Sequence, residues 1–197
     1  EWTYGLCNAN GLPVDVKWSA YFGAADDDDI RGLAPAPGGG LFFGGDTGGS
    51  SLPAGRNQRQ GGRRGGWRGY VARMDADGRL LWSVILDGPN NVHLQELAAD
   101  GRGNVYAAGM AYGDPGGEEW DSEGHFVAKV NGVTGAIEWF RPVGVKGFTQ
   151  GYDGGLAVDA AGNLYFTATA NGDVEGARNK RENWDAFVAK FAPDGAR

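Results

Sequence analysis

The chain has 197 residues, 37 of them glycine, with a formal net charge of −7 and a single cysteine. That length suffices for one domain with an apolar core; the acidity argues against a nucleic-acid partner, and the lone Cys7 excludes an internal disulfide, so packing has to supply the stability. No apolar run approaches the roughly 20 residues of a bilayer-spanning helix, and glycine this dense is incompatible with long helices.

Residues 1–15 read as an N-terminal segment that begins at Glu1 rather than Met, a start that points to a removed leader or an excised piece. A Trp-bearing stretch follows, Val16-Lys17-Trp18-Ser19-Ala20-Tyr21-Phe22, and reads as a strand. After the acidic run Asp26, Asp27, Asp28 and Asp29 come Leu33 to Pro37, the turn Gly38-Gly39-Gly40, and Leu41-Phe42-Phe43-Gly44-Gly45. Two short segments around a Gly-rich turn predict a hairpin, because Gly and Asn reverse the chain at positive φ with little cost. A long connection, Asp46 to Gly66, carries Arg56, Arg59, Arg63 and Arg64. Then comes Gly69-Tyr70-Val71-Ala72-Arg73-Met74, which alternates at period two as a half-buried strand does. The turn 75–79 and the segment Leu80 to Leu86, with Trp82 inside it, complete the set.

The same order returns twice. Leu97 to Gly101, the turn 102–104, Val105 to Gly109, the connection Met110 to Glu123, Gly124 to Val130, a turn at 131–136 and Ile137 to Val143 make the second copy. Leu156 to Ala160, the turn 161–163, Leu164 to Ala168, the connection Ala170 to Asn183 and Asp185 to Phe191 make a third copy, which has no Trp segment after its final turn. Self-similarity at about sixty residues marks a stacked or radial repeat, since one unit cannot bury its own apolar face. Four short antiparallel strands per unit predict an all-β fold of β-propeller blades, three in this chain, over residues 16–197 with repeats at about 16–79, 80–136 and 137–197. Propellers close with about four to eight blades. Three blades are therefore part of a ring with more blades beyond this chain, or half of a six-bladed dimer in which each Trp18 strand pairs into the partner's last blade, or docked on another protein, and both flanks are expected to be covered by protein from outside the chain.

The pattern Trp-Ser, then Leu156-Ala157-Val158-Asp159-x-x-Gly162-Asn163-Leu164-Tyr165, then Asp185-Ala186-Phe187-Val188-Ala189-Lys190-Phe191 resembles the bacterial β-propeller repeat known as SBBP. The first copy departs most, with Pro35 and Gly40 where the pattern has Val and Asn, which predicts an irregular first hairpin. The resemblance implies a secreted or envelope-associated, extracellular or periplasmic protein with a structural or binding role, and it brings no catalytic residues.

Short turns fall at one end of the blades and long connections at the other, so the long-loop end is where a partner is expected. Trp67, Trp120 and Trp184 each precede a third strand at that end, suited either to plugging the gap between blades or to stacking on a ligand or protein. Together with Arg56, Arg63 and Arg64 they are the candidate partner-binding residues. Asp26 to Asp29 are candidate Ca²⁺ ligands, although their spacing matches no known calcium loop; no other cofactor is expected. His93 and His125, the only histidines, stand in no zinc motif, and no Gly-x-Ser-x-Gly elbow presents a nucleophile. The expectation is thus a non-enzymatic structural or protein-interaction module, the alternatives being a carbohydrate- or Ca²⁺-dependent binder and, behind it, a lyase or hydrolase at the channel mouth.

Overall fold

Period-two alternation and glycine-closed turns build the chain. The computed structural model describes residues 16–49, 51–55, 66–86, 91–112, 123–143, 154–174, 176–179 and 183–196, and no helix occurs among them. Eleven strands do: β1 (Gly32–Pro35), β2 (Leu41–Thr47), β3 (Arg68–Met74), β4 (Leu80–Leu86), β5 (Val92–Ala99), β6 (Val105–Tyr112), β7 (Glu123–Val130), β8 (Ile137–Val143), β9 (Gly155–Val158), β10 (Leu164–Ala170) and β11 (Asp185–Phe191). They pair in sequence order into three antiparallel sheets, β1 to β4, β5 to β8, and β9 to β11.

Two features depart from the sequence expectation. The first hairpin is regular, with Gly32 to Pro35 facing Gly44 to Leu41 in unbroken register, whereas register shifts occur between Leu94 and Glu96 in β5 and at Arg73/Met74 and Lys129/Val130 where β3 and β7 meet β4 and β8. The stretch 16–22 joins no ladder, because no third strand lies beside it among the described residues.

Glycine takes the left-handed turn positions that asparagine was expected to share. In the tight turns after β5 and β9, Gly103 and Gly162 have φ of 86° and 89°, a region where a Cβ would be strained. Asn104 and Asn163 act differently, each donating its backbone N–H and its side-chain amide to the aspartate four residues back, Asp100 or Asp159, at 2.7–2.9 Å. Tyr106 and Tyr165 add their hydroxyls to the same carboxylates. Burial opposes ionisation of Asp100, yet these donors outweigh it and hold its pKa below the usual carboxylate range, while the Asn163 side chain leads in lowering that of Asp159 to about 2.

The sheets pack face to face, β5 lying against β1, β2 and β3, and β9 against β5. Alternation divides each strand between two cores. Phe42, Val71 and Trp82 of the first sheet meet Leu97, Val105, Phe126 and Ala128 of the second. The other face of the second sheet, with Tyr106, Val127 and Trp139, meets Leu164, Phe166 and Phe191 of the third. The remaining face of the first sheet, Phe43, Tyr70 and Met74, is covered from within the chain, since Phe22 seats its ring 4.9 Å from Phe43 and 5.1 Å from Tyr70. Part of this flank is thus covered from within the chain.

Trp82 and Trp139 are buried, as expected, and each fastens its sheet to the next. The Trp82 indole lies against Gly135 and its Nε1–H donates to the Gly132 carbonyl at 3.1 Å. Trp139 repeats the arrangement on Gly195 and the Pro193 carbonyl, also at 3.1 Å. Trp18 makes the same contact with Gly78 and the Ala76 carbonyl, at 3.0 Å, although it belongs to no sheet.

Candidate functional site

Antiparallel order puts the tight turns after β1, β3, β5, β7 and β9 at one end of the sheets and the longer connections at the other. At that second end, residues 27–31 run on from β1 alongside β2: Gly48 N–H donates to Asp27 O, Asp29 N–H to Asp46 O and Arg31 N–H to Gly44 O, at 2.8–3.0 Å. This extension carries the acidic run past the end of the ladder. Asp28 turns its carboxylate back to the Ala24 N–H at 2.6 Å. Asp29 accepts from the Asp46 N–H at 2.8 Å and from Arg31 Nε at 3.0 Å. Two of the four candidate metal ligands thus satisfy backbone and guanidinium donors, and among the described residues no three His, Cys, Asp or Glu side chains gather as a metal-binding group.

The extension also assembles a cluster that sequence reasoning missed. Asp46 is fully buried at the loop end of β2. Its Oδ1 accepts from the Leu94 N–H at 2.8 Å, and its Oδ2 lies 2.7 Å from His93 Nδ1 and 3.1 Å from the Arg31 guanidinium. A buried carboxylate costs several kcal/mol unless its lone pairs are met, and these three donors meet them. The carboxylate fixes the imidazole so that Nδ1 is committed, leaving Nε2 to engage anything else. Around this pair stand Trp67, 6.5 Å from the His93 ring, and Tyr112, edge-on at 5.8 Å. Below it the Tyr70 hydroxyl donates to Asp29 O at 2.7 Å; burial, then the charges of Asp28, Asp29 and Asp46, push its pKa far above the ordinary tyrosine value, so it stays a donor. The signal was present in the repeat: Asp46 stands where the other copies have Met110 and Thr169.

Trp67 and Trp184 are only partly buried. They are 37% and 47% exposed, against near-complete burial of Trp82. Trp67 is tied by its backbone instead, its N–H to Asn91 Oδ1 and its carbonyl to the Val92 N–H. An open cleft of about 590 Å³ lies beside it, lined by Ala25, Asp26, Asp27, Gly48, Gly66 and Trp67. A second cleft, of about 360 Å³, adjoins the start of β11 and is bordered by Val174, Arg178, Asn179, Asp185 and Phe187. The structure therefore joins Trp67 to Asp26 and Asp27 at one place. Trp120, Arg56, Arg63 and Arg64 lie outside the described residues.

His125 contributes to packing. It is buried at the junction of the second and third sheets, 5.5 Å from Phe166 and 6.1 Å from Phe187. Burial lowers its pKa, with the backbone of Thr169 and Gly109 acting the other way.

No family model and no curated protein matches this sequence. No helix among the described residues is long and apolar enough to cross a membrane.

Proposed function

We propose that the three sheets are blades of a β-propeller and that the chain is a non-enzymatic structural or protein-interaction module, extracellular or periplasmic, engaging its partner through the long-loop end. One observation carries this reading. Trp82 and Trp139, which join sheets, are buried, whereas Trp67 and Trp184, at equivalent places just before β3 and β11, are left partly exposed at the loop end. Exposed aromatics on a rigid frame are the usual anchors of a protein interface. Asp46 and His93 serve that frame by tying the first sheet to the second beneath Trp67.

A photo-crosslinking residue at Trp67 or Trp184 should trap one recurrent partner, lost when the other tryptophan is replaced by alanine and not trapped from Ala76 or Val133 in the tight turns. Equal trapping from both ends would reject the reading. The cleft beside Trp67 favours one alternative, a carbohydrate, because an indole face next to Asp26 and Asp27 can stack on a sugar ring while the carboxylates accept its hydroxyls. Retention on an immobilised glycan that Trp67→Ala abolishes would move the assignment there.

A further inference from the structure

The acidic run and an exposed indole meet at one cleft, and the fold holds both in place. Backbone bonds fix the run beside β2: Gly48 N–H donates to Asp27 O at 2.9 Å, and Asp28 bridges to Thr47. Trp67 is fixed by Asn91 and Val92 at 3.0 and 2.9 Å, and its ring lies 6.5 Å from that of His93, which Asp46 holds in turn. Asp26, Asp27 and Trp67 line the cleft of about 590 Å³, together with Ala25, Gly48 and Gly66.

The four carboxylates of the run divide. Asp29 is met by the Asp46 N–H and by Arg31, and Asp28 Oδ2 by the Ala24 N–H. Asp28 Oδ1 is enclosed without a donor, and among the described residues no cation or N–H reaches the exposed carboxylates of Asp26 and Asp27. Nearby cations are engaged elsewhere: Arg31 pairs with Asp29 and Asp46, and Arg68 donates to the Gly49 carbonyl. The side chains of the cleft therefore offer carboxylate oxygens, which only accept, and an indole face, whose quadrupole attracts positive charge. A sugar hydroxyl both donates and accepts, and the indole N–H is the one side-chain donor among the lining residues. A guanidinium has five donors, no acceptor and a flat face that stacks on an aromatic ring, so it matches both kinds of group at once.

We propose that this cleft anchors the protein partner through one of that partner's arginine side chains, stacked on Trp67 with its N–H fork on Asp26 and Asp27. The inference rests on the loop-end interaction reading and names the chemistry of the partner there. The formal charge of −7 draws a basic partner from a distance, and the cleft fixes where it lands.

The test uses the whole chain with a fluorescein-labelled tetra-arginine peptide, its tetra-lysine and tetra-citrulline counterparts, and spermidine. Anisotropy should show the arginine peptide binding more tightly than the lysine peptide, and no binding of the citrulline peptide, which keeps the shape and loses the charge. Asp26→Asn combined with Asp27→Asn should raise the dissociation constant roughly tenfold or more. Asp77→Asn combined with Asp194→Asn removes the same charge from the tight turns and should change it by less than about twofold. Trp67→Ala should weaken binding, and Trp67→Phe should keep part of it. Equal losses from the two aspartate pairs would reduce the effect to overall charge and overturn the site. Spermidine competing as strongly as the peptide, or a neutral glycan bound in the peptide's place, would also overturn it. A photo-crosslinker at Trp184 separates this inference from the reading beneath it: a partner trapped equally well by the Asp26→Asn, Asp27→Asn chain would leave the loop-end interaction standing and remove the arginine anchor.

Discussion

Gly135 offers the sharpest test of how the sheets are joined. Its φ of 72° lies in the left-handed region, and a Cβ built there would fall 2.9 Å from Trp82 Cδ2. Gly38 has a φ of 82° but open space where its Cβ would go. Alanine at either site incurs the left-handed penalty of about 1–2 kcal/mol. Only Gly135→Ala adds overpacking against an indole that is buried and hydrogen-bonded, a further 1–3 kcal/mol or so, for a total of about 2–5 kcal/mol. Urea unfolding followed by Trp fluorescence and circular dichroism should show the Gly135→Ala midpoint well below that of Gly38→Ala at the same m-value. Trimming the indole in Trp82→Leu should shrink the Gly135→Ala penalty towards that of Gly38→Ala, as coupled neighbours require. Equal losses for the two glycine variants, or no coupling to position 82, would refute the idea that Trp82 on Gly135 is a tight joint.

Trp82→Ala should cost about 3–5 kcal/mol as large core truncations do, and Trp18→Ala clearly less because its ring is partly in water; denaturant midpoints would expose an error in that ranking. Asp46→Asn should cost about 1–3 kcal/mol, since it keeps an acceptor for Leu94 N–H but removes the charge that meets Arg31 and His93; calorimetry showing no loss would mean that the cluster is not structural. The His125 pKa is depressed below its ordinary 6.5, so below about pH 6.5 the unfolded state binds more protons than the folded state and stability falls as pH drops towards the folded value. His125→Phe should flatten that acid limb, and an unchanged pH profile would assign it to other groups.

Much of the fold was legible because each repeat carries its own instructions. Alternation in Tyr70, Ala72 and Met74 and in Phe126, Ala128 and Val130, ended by glycine turns, specifies a strand whatever surrounds it. Trp82 and Trp139 were recognisable as core because they recur within apolar strands. The stretch 16–22 has the same composition yet forms no ladder, since a strand exists only with a neighbour to bond to. Asn104 and Asn163 were assigned the wrong task because turn propensity does not distinguish a positive φ from a side chain that bonds an aspartate four residues back. The Asp46 cluster was invisible as a pattern: its partners lie 47 and 48 residues away in another repeat, and only the departure of Asp46 from Met110 and Thr169 marks it.

The two-sided cover of the central sheet implies a gradient of local stability along the chain. In stacked repeats each unit is held by its own bonds plus its interfaces, and β5 to β8 have neighbours on both faces while β9 to β11 have one. Amide protons of β6 and β7 should therefore exchange only through global unfolding, whereas those of β11, which among the described residues has one unpaired edge, should exchange through fraying of its own sheet. A protease would meet these three sheets first at β11, and removal of that strand would bare the edge of β10 and take Phe191 out of the core shared with the second sheet. Among the described strands β11 then acts as a sacrificial edge, the place where the sheets begin to come apart.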